Sequence, residues 1–173
     1  MNGSIEKDLN LEYAKTLKKL LTSRGVKVVM TRESDKALYS EDAKTKKISE
    51  MKAREKIIMD TKPDLVVSIH MNSFSLKSAK GAKVFYKQDS EPSKIVAQYI
   101  HKSINSYLGS KFPAPSAGDY YILNCSPYSS ILVECGYLSN AEEEEMLQTK
   151  SYREKLMHSV FCGILIYLGL NYY

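Results

Sequence analysis

Two short apolar runs, Leu65–Ile69 (LVVSI) and Ile131–Val133 (ILV), each stop on a residue that ionises, His70 and Glu134. An uninterrupted apolar run of this length is the pattern of a strand covered on both faces. Segments with helical spacing lie between and around these runs. Leu9, Tyr13, Leu17, Leu20 and Leu21 form one stripe with Lys15, Lys18 and Lys19 opposite; Ile48, Met51, Glu55 and Ile58 form a second. Further helices are expected from Pro92 to about Leu108, over Ala141–Gln148 and over Tyr152–Leu168. Additional strands are expected at Val26–Thr31 (VKVVMT), Ala82–Tyr86 (AKVFY) and Tyr120–Leu123 (YYIL). Gly25 reads as a helix stop and Pro92 as a first-turn residue, while Arg32–Lys47 and Gly109–Asp119 read as loops. This alternation predicts an α/β domain, with a central, mostly parallel sheet and helices on both faces.

Composition narrows what such a domain can do. The 173 residues suffice for one core and not for two ordinary domains. With 43% hydrophobic and 26% charged residues, disorder and collagen-like repeats are excluded. A net charge of +5 suits an anionic substrate or surface, but without a basic stripe it does not point to nucleic acid. Cys125, Cys135 and Cys162 are too scattered for a disulfide framework or a metal knuckle. The most apolar stretch, Val160–Leu170, is shorter than a membrane span and reads as a buried helix. No signal peptide is evident in the opening residues, so the expectation is a cytosolic protein or a targeting segment upstream.

In sheets of this kind ligands bind outside the carboxyl ends of the strands. His70 and Glu134 are therefore expected at one rim, where neither charge is forced into the sheet. Glu6 lies just ahead of the first amphipathic stripe. It reads either as an acid favourable to the helix dipole or, with Asp8 free to serve the dipole, as a ligand. Histidine nitrogen and glutamate oxygen are both zinc donors, and a catalytic zinc usually has three protein ligands. Glu6 and His70 would supply two, leaving Glu134 as a general base.

EKDLNL (Glu6–Leu11), TRESD (Thr31–Asp35), Arg54, PDLVVSIHMNS (Pro63–Ser73), GAKVFY (Gly81–Tyr86) and ILVECGYLSN (Ile131–Asn140) occur in order along the chain. Together they resemble the zinc-dependent N-acetylmuramoyl-L-alanine amidases of the AmiC/CwlV catalytic type, peptidoglycan hydrolases that cut the amide between N-acetylmuramic acid and L-alanine. The resemblance implies a central sheet of about six strands, Zn2+ as cofactor, Glu6 and His70 as metal ligands and Glu134 as the catalytic carboxylate. The compact length and the segment CSPYSSILVECGYLSN look most like the sporulation (CwlD-type) amidases that act on spore cortex.

The same resemblance implies a first strand ending in a D-x-G-H-G-G motif, whose histidine is a further zinc ligand. The sequence opens after that point, so the domain over 1–173 is expected to be N-terminally incomplete, with two of three ligands and poor zinc retention. An upstream signal or anchor would place it outside the cytoplasm, at the cell envelope or in the spore intermembrane space. Peptidoglycan is the expected partner, with an activator protein and self-association as further possibilities.

Beyond the core of the site, Asn72 and Ser73 read as substrate-orienting or as turn residues. Arg54 and Arg32 read as contacts to substrate carboxylates or as structural ion pairs. His101 and His158 fall inside helices and match no ligand position. Cys135 reads as a small buried filler, and Tyr120, Tyr121, Tyr128 and Tyr137 as rim packing with a stacking or interface role as the alternative. Two other functions compete: a non-catalytic peptidoglycan-binding or scaffold protein of the same fold, and a zinc carboxypeptidase acting on stem peptides.

Overall fold

The computed structural model describes residues 3–109 and 111–170. Helix α1 (Gly3–Thr22) buries Leu9, Tyr13, Leu17 and Leu21, the i, i+4 stripe its sequence dictates. It stops where Gly25 takes φ 77° and the Val26 N–H closes onto the Leu21 carbonyl. After an irregular stretch come α2 (Lys46–Thr61), β1 (Val66–Asn72) and β2 (Lys83–Lys87). Helix α3 (Glu91–Leu108) is capped by Ser90, whose hydroxyl accepts the Ser93 N–H, carries Pro92 in its first turn and ends on Gly109 at φ 67°. The chain continues through β3 (Ser116–Gly118), the single turn α4 (Tyr121–Asn124), β4 (Ser130–Tyr137), α5 (Ala141–Gln148) and α6 (Lys150–Tyr167).

The strands form one sheet in the order β1-β4-β2-β3. β1 runs parallel to β4, β2 antiparallel to β4, and β3 parallel to β2. With neighbours on both sides, β4 is buried from Ser130 to Gly136. Val67, Ile69, Met71, Ile131, Val133, Cys135 and Val84 face a core shared with α1, α3 and α6. Strand alternation sends Ser68, His70, Leu132, Glu134, Lys83 and Phe85 to the opposite face, where α4 inserts the fully buried Leu123. Helices α3 and α6 approach backbone to backbone at Gly163, where a Cβ would lie 2.5 Å from the Ile100 Cα. Val160–Leu165 is thus the buried part of α6, as its composition predicts, but the helix ends at Tyr167 and Leu170 is 41% exposed.

The mixed α/β class holds, but the sheet is smaller than expected: four strands among the described residues rather than about six. Val26–Met30 alternates half-buried and exposed residues as a strand would, yet Val26–Thr31 pairs with no strand among the described residues. Val26 and Val28 pack on the core while Val29 stays 51% exposed. The segment and the free edge of β1 line the same apolar groove of about 410 Å³, so alternation is present without a ladder partner. Tyr120–Leu123 is the second departure. Tyr121–Leu123 curl into α4 with Tyr120 as its N-cap, burying Leu123 and leaving Tyr120 and Tyr121 outside, because a run this short carries no decisive period.

Candidate active site

His70 of β1, Glu134 of β4 and Lys83 of β2 are direct cross-strand partners. Partners in register project from the same face, so the three side chains form one row across the sheet. Just beyond this row β1 and β4 slip register, pairing Asn72 with Tyr137; such irregularities re-aim strand ends beside sites. Glu6 reaches the row from the first turn of α1, inside the helix rather than ahead of it. Its Oε1 lies 3.1 Å from His70 Nδ1 and accepts a hydrogen bond from Asn10 Nδ2 at 3.3 Å.

The two carboxylates at this rim are shifted in opposite directions. The His70 hydrogen bond holds Glu6 below the usual carboxylate range against the opposing effect of burial, helped by Asn10 and the Met71 N–H. Burial pushes Glu134 the other way, up to about 7, with His70 pulling it down and Glu6 pushing it up. Glu134 is only 7% exposed, and its Oε2 is buried without a hydrogen-bond partner among the described residues. An orphaned buried carboxylate oxygen is costly in a fold that needs nothing from it. At a rim, one that titrates near neutrality suits proton transfer.

Two ligand atoms on one tetrahedral zinc with bonds of ~2 Å stand roughly 3.3 Å apart, and Glu6 Oε1 and His70 Nδ1 are 3.1 Å apart. Both atoms therefore fit one coordination shell. No group of three or more His, Cys, Asp or Glu that could hold a metal is present among the described residues, so a further donor is not among them.

Outside this trio the sequence candidates serve other contacts. The Asn72 side-chain oxygen accepts the Ser73 N–H at 2.7 Å and its carbonyl accepts the Leu138 N–H at 2.8 Å, a turn-forming use. Arg54 pairs with Glu50 at 2.7 Å. Arg32 donates to the Lys7 and Ser34 carbonyls. His101 bonds the Phe112 carbonyl and Asn105, while His158 packs against Tyr107 and Phe161. Cys135 is fully buried, and burial pushes its thiol well up. Tyr120 and Tyr137 do border the site: burial first, then the nearness of Glu134, raises both phenols. Sequence reasoning missed Asn10, one helical turn after Glu6, and Lys83, which only the strand register places beside Glu134.

Residues 1–165 match the family of N-acetylmuramoyl-L-alanine amidases. Among curated proteins, the germination-specific N-acetylmuramoyl-L-alanine amidase of Bacillus subtilis is 32% identical over 167 residues, which are 94% of this chain and 70% of that protein. The B. subtilis amidase LytC is 27% identical over 96% of this chain, and the match spans 32% of LytC. Among solved structures, the CwlD amidase of Clostridioides difficile, determined in complex with the GerS lipoprotein, superposes with a TM-score of 0.91 at 32% identity, covering 96% of this chain and 87% of that one. The catalytic domain of the CwlV amidase from Bacillus (Paenibacillus) polymyxa has a TM-score of 0.82 at 28% identity, covering 96% and 86%.

Proposed function

This chain belongs to the N-acetylmuramoyl-L-alanine amidase family, and from that premise we propose that it hydrolyses the amide between N-acetylmuramic acid and L-alanine in peptidoglycan, with zinc at the Glu6–His70 pair. The observation that carries the reading is the pairing of two zinc-type donors 3.1 Å apart with a buried, unpartnered Glu134 on the neighbouring strand. Glu6 and His70 would hold the ion, which when bound polarises a carbonyl and makes water more acidic. Asn10 orients the Glu6 carboxylate. Glu134 takes the proton of the attacking water and returns it to the departing alanine nitrogen. Its low exposure keeps bulk water from its inner oxygen, and its rise to about 7 makes both proton transfers accessible near neutrality.

Relatives include a germination-specific amidase and proteins named as probable cell wall amidases, so we place the action of this chain outside the cytoplasm, on cortex or wall. The complex formed by the CwlD relative supports a partner protein for this chain as well. A second reading, a non-catalytic peptidoglycan-binding protein, draws on the two-donor count among the described residues. Mass spectrometry of muropeptides digested by the purified chain with zinc separates the outcomes. Free stem peptide with intact glycan is expected. Shortened peptide would mean a carboxypeptidase, and no product with retained binding would mean the non-catalytic protein.

A further inference from the structure

We propose that Lys83 determines substrate specificity by holding a carboxylate of an acidic stem peptide just beyond the scissile amide; the proposal rests on the amidase reading above. Lys83 is the next member of the row after His70 and Glu134. With strands about 4.8 Å apart, its Cα lies roughly 5 Å from that of Glu134 and roughly 10 Å from that of His70. A peptide leaving the site in extended form, at about 3.4 Å per residue, passes over Lys83 within one to three residues.

The ammonium is presented rather than engaged. It sits over the Phe85 ring, 4.5 Å from the centroid, and makes no ion pair or hydrogen bond with the described residues. Glu134, though adjacent in the row, is not its partner: the lysine lies along its own strand, two residues on, against Phe85. The platform is built. Tyr120 closes edge-on against Phe85, ring centroids 5.1 Å apart, and Gly118 makes room for it, since a Cβ there would stand 2.8 Å from the Tyr120 Cδ2. Arg54, the cation singled out in the sequence, has already spent its guanidinium on Glu50. An ammonium with an aromatic floor and no internal anion is a receptor for an external one. A charge-assisted bond to carboxylate is lost when that group is a carboxamide.

The test is calorimetric titration of the full chain with two non-hydrolysable muramyl dipeptide analogues, differing only in a free carboxylate or a carboxamide on the residue after alanine. The acid is expected to bind about tenfold tighter than the amide. Lys83→Met, which keeps the stem over Phe85, should erase that preference without weakening the amide, and Lys83→Arg should retain it. Circular dichroism checks the fold of both variants. Equal affinities for the two analogues in the unmodified chain, or equal losses for both in Lys83→Met, overturn the role of Lys83 and leave the amidase reading standing. Failure to bind either analogue overturns both.

Discussion

The carboxylates of Glu134 and Glu143 are buried to the same degree, each 7% exposed, and the chain uses them in opposite ways. Glu143, in the first turn of α5, accepts the Gly81 N–H at 2.7 Å with one oxygen and the Tyr137 N–H at 2.8 Å with the other. It ties the approach to β2 to the end of β4, and Asn140 in turn caps its own N–H. Gly81 meets it at φ 99° with Phe112 packed so close that a Cβ would lie 2.8 Å away. Glu134 has an oxygen that no described residue satisfies. Burial alone therefore says little about what a carboxylate does. Whether its lone pairs are spent inside the fold separates a structural acid from a reactive one.

The sharpest way to break this contrast is Glu134→Gln. Loss of the general base is expected to slow amide cleavage by roughly 10²–10⁴-fold while the fold survives, read by muropeptide turnover alongside circular dichroism. Turnover within threefold of the parent would remove Glu134 from the chemistry. Glu143→Ala is the complementary experiment. Stranding two backbone N–H groups should cost about 2–4 kcal/mol of unfolding free energy, measured by urea denaturation, and a loss below about 1 kcal/mol would show that the tie is dispensable.

A third test sharpens the comparison through pH, with chelator present so that no metal contributes. The Glu134 carboxyl rises from 4.5 to about 7 on folding, so the native state holds the proton more tightly than the unfolded chain. Stability conferred by the neutral form is full below about pH 4.5, falls as pH rises, and is gone above about pH 7. Glu134→Gln, which cannot ionise, should match the parent at pH 4 and exceed it by up to about 3 kcal/mol at pH 8. A pH-independent difference would sink the assignment. The smallest effect is expected at Asn10. Asn10→Ala removes the group that orients Glu6 and should weaken zinc about tenfold, measured by competition with a chromophoric chelator; unchanged affinity would leave Asn10 without a role at the site.

Much of this architecture is written locally. The stripe Leu9, Tyr13, Leu17, the first-turn Pro92 of α3 and the apolar runs behind β1 and β4 all predict the elements that form, because helix punctuation and periodicity act within a few residues. His70 and Glu134 were legible for the same reason: each ends an apolar run that has to be buried, and the two share one face of the sheet; the expectation that neither charge is buried fails for Glu134, which is only 7% exposed within the central strand. The misses share a different cause. Val26–Thr31 has the side chains of a strand, but a strand is defined by its neighbour. Tyr120–Leu123 is too short for its period to decide between a strand and the turn that buries Leu123. Nothing in the run AEEEE marks Glu143 as the buried glutamate among its neighbours; only its meeting with Gly81 and Tyr137 does.

The order of apolar runs and helical stripes settles the α/β class and delivers a histidine and a glutamate to one edge of the sheet, since burial of apolar surface is enforced residue by residue along the chain. Tertiary packing settles the rest. Lys83 stands beside Glu134 because hydrogen bonding between strands fixes their register, which operates across the sheet rather than along the sequence. Glu6 meets His70, and Glu143 spends its oxygens on Gly81 and Tyr137, because α1 and α5 dock against the sheet.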